Sequence, residues 1–97
     1  MDESKLKHLQ TLYAGGHKNF LAAQHPKTYA EMAEKGTLDS YLMMIGEQAA
    51  DHYLTLKEQM LEQAKTIEDP REREVYINQI PFVAAEIVKA EIVHVKL

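Results

Sequence analysis

Ninety-seven residues with 45% apolar and 27% charged side chains describe one small domain, too apolar for a disordered chain and too short to bury a large core. The lack of cysteine excludes disulfides and thiolate metal sites, and no apolar run approaches the roughly 20 residues that span a bilayer. The net charge of −4 is uneven: residues 1–36 hold five lysines against four acids, residues 37–69 two lysines against seven acids, and residues 70–97 four bases against four acids, which argues against a general affinity for DNA.

Three helix-breaking points cut the chain, at Gly15-Gly16, Gly36 and Asp69-Pro70. Before the first, Leu6, Leu9, Leu12 and Tyr13 predict a short amphipathic helix. Between the glycine pair and Gly36, the reading is one short helix over Lys18–Gln24 and another over Pro26–Lys35, with Pro26 at the first helical position and Gly36 ending the second in the left-handed conformation. Thr37 is expected to cap a long helix over 37–67. Its apolar stripe is Leu38, Leu42, Ile45, Ala49, Tyr53, Leu56, Met60, Ala64 and Ile67.

Asp69, Pro70 and Glu72 form a helix-start signal, and a second long helix is expected over 70–94 with Tyr76, Ile77, Ile80, Val83, Ala84, Ile87, Val88 and Val95 as its apolar set. Pro81, inside it, predicts a kink. So short a link implies an antiparallel helical hairpin. On the first long helix Met43, Ala50, Leu54 and Leu61 form a second stripe about 120° from the first at ~100° per residue. One partner helix cannot cover both. Either the N-terminal helices pack on the second stripe or a second copy of the chain does, completing a four-helix bundle as a dimer. The expected fold is a single all-α domain, a long antiparallel hairpin with short N-terminal helices against it.

The segment GTLDSYLMMIGEQAADHYLTLKEQM, the turn after it and INQIPFVAAEIVKAEIVH resemble the transposon-encoded TnpV family, as does the preceding NFLAAQHPKTYAEMAEKGTL. The likeness spans about residues 19–95, and the paired Glu86-Ile87-Val88 and Glu91-Ile92 are its most distinctive part. Pro81 and thin basic character around the first helices depart from the family's pattern. The resemblance implies an accessory protein of a mobile element and carries no catalytic residues.

Candidate chemistry is sparse. Glu91 and His94 have the E-x-x-H spacing of di-iron bundles, but no second motif accompanies them. The blander expectation is that Glu91 is partly buried and paired with Gln48, His52 or an N-terminal lysine, in a structural or interface role. Glu47, Asp51, Glu58 and Glu62 share one side of the first long helix, as a solvated face or as a docking stripe for a basic partner. Lys27 to Leu42 has a helix–turn–helix outline, yet the would-be recognition helix has no Lys or Arg before Lys57. Phosphate contact by Lys18, Lys27 and Lys35, with His17 and His25 nearby, is the weaker nucleic-acid option. No metal spacing, nucleophile arrangement or phosphate loop is present.

The expectation is therefore a non-enzymatic accessory or regulatory protein without a cofactor, cytoplasmic because the N-terminus has no signal-peptide pattern. It would work through protein contacts with itself or a partner along the hairpin, with Met43, Ala50, Leu54, Leu61 and Glu91 as interface candidates. Its rivals are a DNA-binding accessory factor for recombination and an acidic inhibitor of a host nucleic-acid-binding protein or nuclease.

Overall fold

The computed structural model describes residues 3–93, and every regular element among them is helical: α1 (Glu3–Gln24), α2 (Pro26–Lys35), α3 (Leu38–Ala64), α4 (Pro70–Val88) and a π-helical turn, Lys89–Val93, which continues α4. Among the described residues no helix is long and apolar enough to cross a membrane.

The local punctuation at two of the three breaks acts as expected. Gly36 adopts φ 74°, the left-handed conformation, and the Thr37 N–H reaches back to the Met32 carbonyl at 3.0 Å to close α2. Asp69 caps α4 by accepting from the Arg71 N–H at 2.9 Å, with Pro70 at the first helical position. The Arg73 guanidinium donates across the turn to the Ile67 carbonyl, 2.9 Å from Nε. Thr37 sits before α3 but does not cap it. Its hydroxyl donates to Met32 O at 3.4 Å, so the side chain completes the end of α2.

At the third break the structure overturns the expectation. Residues 15 and 16 lie inside one unbroken 22-residue α1. Two glycines disfavour a helix by only about 1 kcal/mol each, and packing along this face outweighs that. Position 16 is pressed against the π-helical turn: a Cβ there would stand 3.3 Å from Val93 Cγ1. α4 continues through Pro81, which does not stop it, and the residue is exposed.

α3 is the central element. α1 runs antiparallel to it, with the buried Gly46 against the backbone of Gln10 and the Ala14 methyl, and Leu21 packed on Leu38 and Leu42. α4 runs antiparallel on another side, as Tyr76 meets Gln63 near the turn and Glu91 meets His52 far from it. α1 meets the second half of the hairpin only at its far end, where the turn at 89–93 crosses to α1 and Tyr13 joins Val88 and Val93 in one cluster. The result is a thin layer of 55 × 27 × 14 Å with a radius of gyration of 16.2 Å. A compact domain of this length would have about 12.5 Å. The second apolar stripe of α3 is thus partly met by α1: Ala50 is fully buried, Leu54 is half-buried, and Met43 and Leu61 remain outside.

The inner face of α4 is Ile80, Ala84 and Val88, at steps of four, and the next buried residue is Val93, a step of five. That extra residue is the π-helical turn. It brings Val93 inward and carries Glu91 outward.

Candidate functional site

The most constrained polar group among the described residues is His17. Its residue is 0% exposed, held between α1, α3 and the π-helical turn. Nδ1 lies 2.6 Å from the Val93 carbonyl oxygen and Nε2 lies 2.8 Å from the Tyr41 hydroxyl. A carbonyl only accepts, so Nδ1 carries the hydrogen. In the neutral ring Nε2 then accepts from Tyr41. One imidazole therefore satisfies a carbonyl of the π-helical turn and a phenol on α3. Phe20 and Tyr41 pack their rings against it, with centroids 5.9 and 5.4 Å away. Burial raises the Tyr41 pKa above its ordinary value, and burial followed by the neighbouring Tyr53 phenol does the same for Tyr13.

His17 was expected as a helper in phosphate contact, and its burial excludes that. His25 packs edge-on against Phe20 at 5.8 Å. Nothing in the spacing of His17 marked it as internal, because its partners Tyr41 and Val93 are 24 and 76 residues away.

Glu91 is paired, and its partner is one of those expected. His52 Nε2 lies 2.6 Å from its Oε2. It is not partly buried as expected: the Glu91 side chain is 58% exposed, against 30% for His52. The sequence phase placed Glu91 on the apolar face, and the π-helical turn rotates it off. His94 lies outside the described residues, so the E-x-x-H pair is not described. Among the described residues no group of three or more His, Asp or Glu side chains could hold a metal ion.

The remaining candidates are dispersed. Glu47, Asp51, Glu58 and Glu62 are all exposed on α3, and Glu62 holds Lys65 at 2.9 Å. Lys18 is exposed on α1, while Lys27 and Lys35 are exposed at opposite ends of α2. The outline of a helix–turn–helix is present in α2 and α3. However, Leu38 and Leu42 are buried and α1 and α4 both pack on α3, so α3 is a core element rather than a groove reader.

What the surface does offer is apolar area. Met43 is 67% exposed, Leu12 60%, Val75 54%, Phe82 75% and Leu61 40%. Val75 and Phe82 were not singled out in the sequence, because they fall off the apolar periodicity that defines the core face of α4. A shallow cavity of about 470 Å³ lies at Val75, lined also by Ile67, Arg71, Glu72, Tyr76 and Gln79. A smaller one lined by Met60, Tyr76, Gln79, Ile80 and Val83 continues it.

Fold and surface together define a small, hairpin-centred helical protein whose charged and polar candidates are scattered rather than gathered. The chain belongs to the transposon-encoded TnpV family, whose model matches residues 1–93. The likeness therefore includes α1 as well as the hairpin. No curated protein and no solved structure matches the chain.

Proposed function

We propose that this protein is a non-enzymatic accessory or regulatory factor of its mobile element, acting in the cytoplasm through protein contacts made by the hairpin. One observation carries the reading. A layer 14 Å thick leaves large apolar side chains, Met43 and Leu61 on α3 among them, on its outside. Met43 and Leu61 stand on the same face of α3, about five turns apart, and we read that exposed apolar face as a contact site. Membership of a transposon-encoded family supplies the setting.

The test is capture of partners from cells that carry the element, with and without nuclease, using the wild type and a Met43→Glu, Leu61→Glu double variant. A partner that survives nuclease and is lost with the variant supports the reading. A partner released by nuclease, together with a salt-sensitive shift of element-end DNA that Lys18→Glu, Lys27→Glu and Lys35→Glu abolish, replaces it with the DNA-binding reading. Loss only with Glu58→Lys and Glu62→Lys would instead assign the contact to the acidic stripe.

A further inference from the structure

We infer that the free flank of α3 is a docking trough for an amphipathic helix of a partner protein, one with Lys or Arg along one edge of its apolar stripe. The inference rests on the protein-contact reading and names the chemistry of the partner.

α1 and α4 pack on two sides of α3, and a third flank is left open beside α1. At ~100° per residue Met43 and Leu61 point the same way, about five turns apart, and Leu54 falls within about 20° of that line. Met43 is 67% exposed and Leu61 40%, with Leu54 half-buried between them. The line is about 27 Å long at ~1.5 Å per residue, the span of one helix of about 18 residues. Near Met43, α1 supplies a facing wall. A cavity of about 290 Å³ lies there, between Lys7 and Thr11 on α1 and Met43 and Glu47 on α3. An apolar line with a wall along one side is the shape that receives the apolar face of a helix.

Charge selects the occupant. Glu47, Asp51, Glu58 and Glu62 fall about 40 to 100° round α3 from the line, all on the side away from α1. The four are exposed, and among the described residues only Glu62 has a cation within ion-pair distance, Lys65 at 2.9 Å. On the other side Lys57 falls about 40° from the line, toward α1, and Lys7 lines the cavity there. The trough thus has one acidic rim and one rim with lysines. A helix with a basic edge beside its apolar stripe answers the acidic rim, and complementary potentials of this kind speed encounter and suppress wrong partners. The acids stand at steps of four, seven and four, which read the same from both ends. The pattern therefore fixes which edge of the partner is basic and leaves its direction free.

A second copy of this chain fits worse. Turned end for end so that Met43 meets Leu61, it brings Glu47 beside Glu58 and Asp51 beside Asp51. Laid parallel, it sets Glu47 beside Glu47. Either arrangement gathers like charge in the contact.

The test is a selection followed by charge reversal. A displayed library of helical peptides of about 18 residues, enough to span the trough, is selected on the immobilised full chain. The Met43→Glu, Leu61→Glu double variant serves to remove binders of other surfaces. Enriched peptides are expected to carry an apolar stripe with Lys or Arg along one edge. Glu47→Lys with Glu58→Lys should weaken the best of them at least about tenfold with an unchanged helical circular dichroism spectrum, since both side chains are exposed. Enriched peptides with acidic or uncharged edges, or equal enrichment on the double variant, overturn the inference. So does binding that survives the charge reversal. None of these touches a partner captured from cells, so the protein-contact reading stands or falls separately. A doubled mass of the chain in light scattering that Leu61→Glu abolishes also overturns the inference, and gives the flank to a second copy.

Discussion

The two ends of the hairpin are built differently. At the end far from the turn, α1, α3, the last turn of α4 and the π-helical turn converge on Tyr13, Ala49, Val88 and Val93, with His17 beside them fully enclosed. At the turn end only α3 and α4 are present. There Leu61 and Val75 stay exposed, and Ile67 is tied down chiefly through its own carbonyl by Arg73. The first end is a complete core made by one chain. The second is two helices whose outer apolar surface has no cover among the described residues. A fold can thus be finished at one end and open at the other, and the open end is where association has the most to gain.

This contrast predicts unequal sensitivity to mutation. His17→Ala should have the largest effect. It removes a buried ring and strands both the Val93 carbonyl and the Tyr41 hydroxyl, for a loss of about 3–5 kcal/mol in urea unfolding. Leu61→Ala at the open end should lose under about 1 kcal/mol under monomeric conditions. Equal losses at the two sites would erase the distinction. Gly46→Ala comes next. Its methyl would run into the Gln10 backbone carbonyl, which cannot rotate away, and α1 must shift by a destabilising ~1–3 kcal/mol.

A third effect comes with alkali. Burial holds the Tyr13 and Tyr41 pKa values above 10.0, so the folded state keeps these protons better than the unfolded state does. Their contribution is whole below pH 10 and is lost as pH rises through the folded values. Thermal melts across that range should show falling Tm, with a shallower decline in Tyr41→Phe. The variant should also be weaker at neutral pH, because His17 Nε2 loses its donor. The smallest effect has the opposite sign. Gly15 faces open space, so Gly15→Ala should stabilise α1 by about 0.5–1 kcal/mol. A loss there would mean that α1 needs its flexibility at that point.

The parts legible in the sequence were those written in local signals. Pro26, Gly36, Asp69 and Pro70 act within a few residues of themselves, and the ends of α2 and the start of α4 fall where these residues put them. The antiparallel hairpin followed from the short link. What escaped depended on distant partners. Gly15-Gly16 reads as a break until the Val93 side chain is known to lie against residue 16. Glu91 reads as inward because a constant period was carried past Val88, where the chain in fact takes one extra residue. His17 gave no pattern at all, since a buried hydrogen-bonding residue is defined by what folds onto it. The acidic residues of α3 were legible as a face, because helical spacing alone places them there.

That extra residue has a mechanical consequence. His17 is anchored in α1 and grips the Val93 carbonyl, so the distance from the Asp69 cap to Val93 is gauged against a fixed point on another helix. Each residue added to or removed from α4 would advance its end by about 1.5 Å and swing it by about 100°. The wide turn at Lys89–Val93 is the slack in that linkage. Removing Ala90 would draw it tight, into ordinary helix, with Val93 four residues after Val88. Removing a second residue would leave nothing to give, and the histidine would lose its hold.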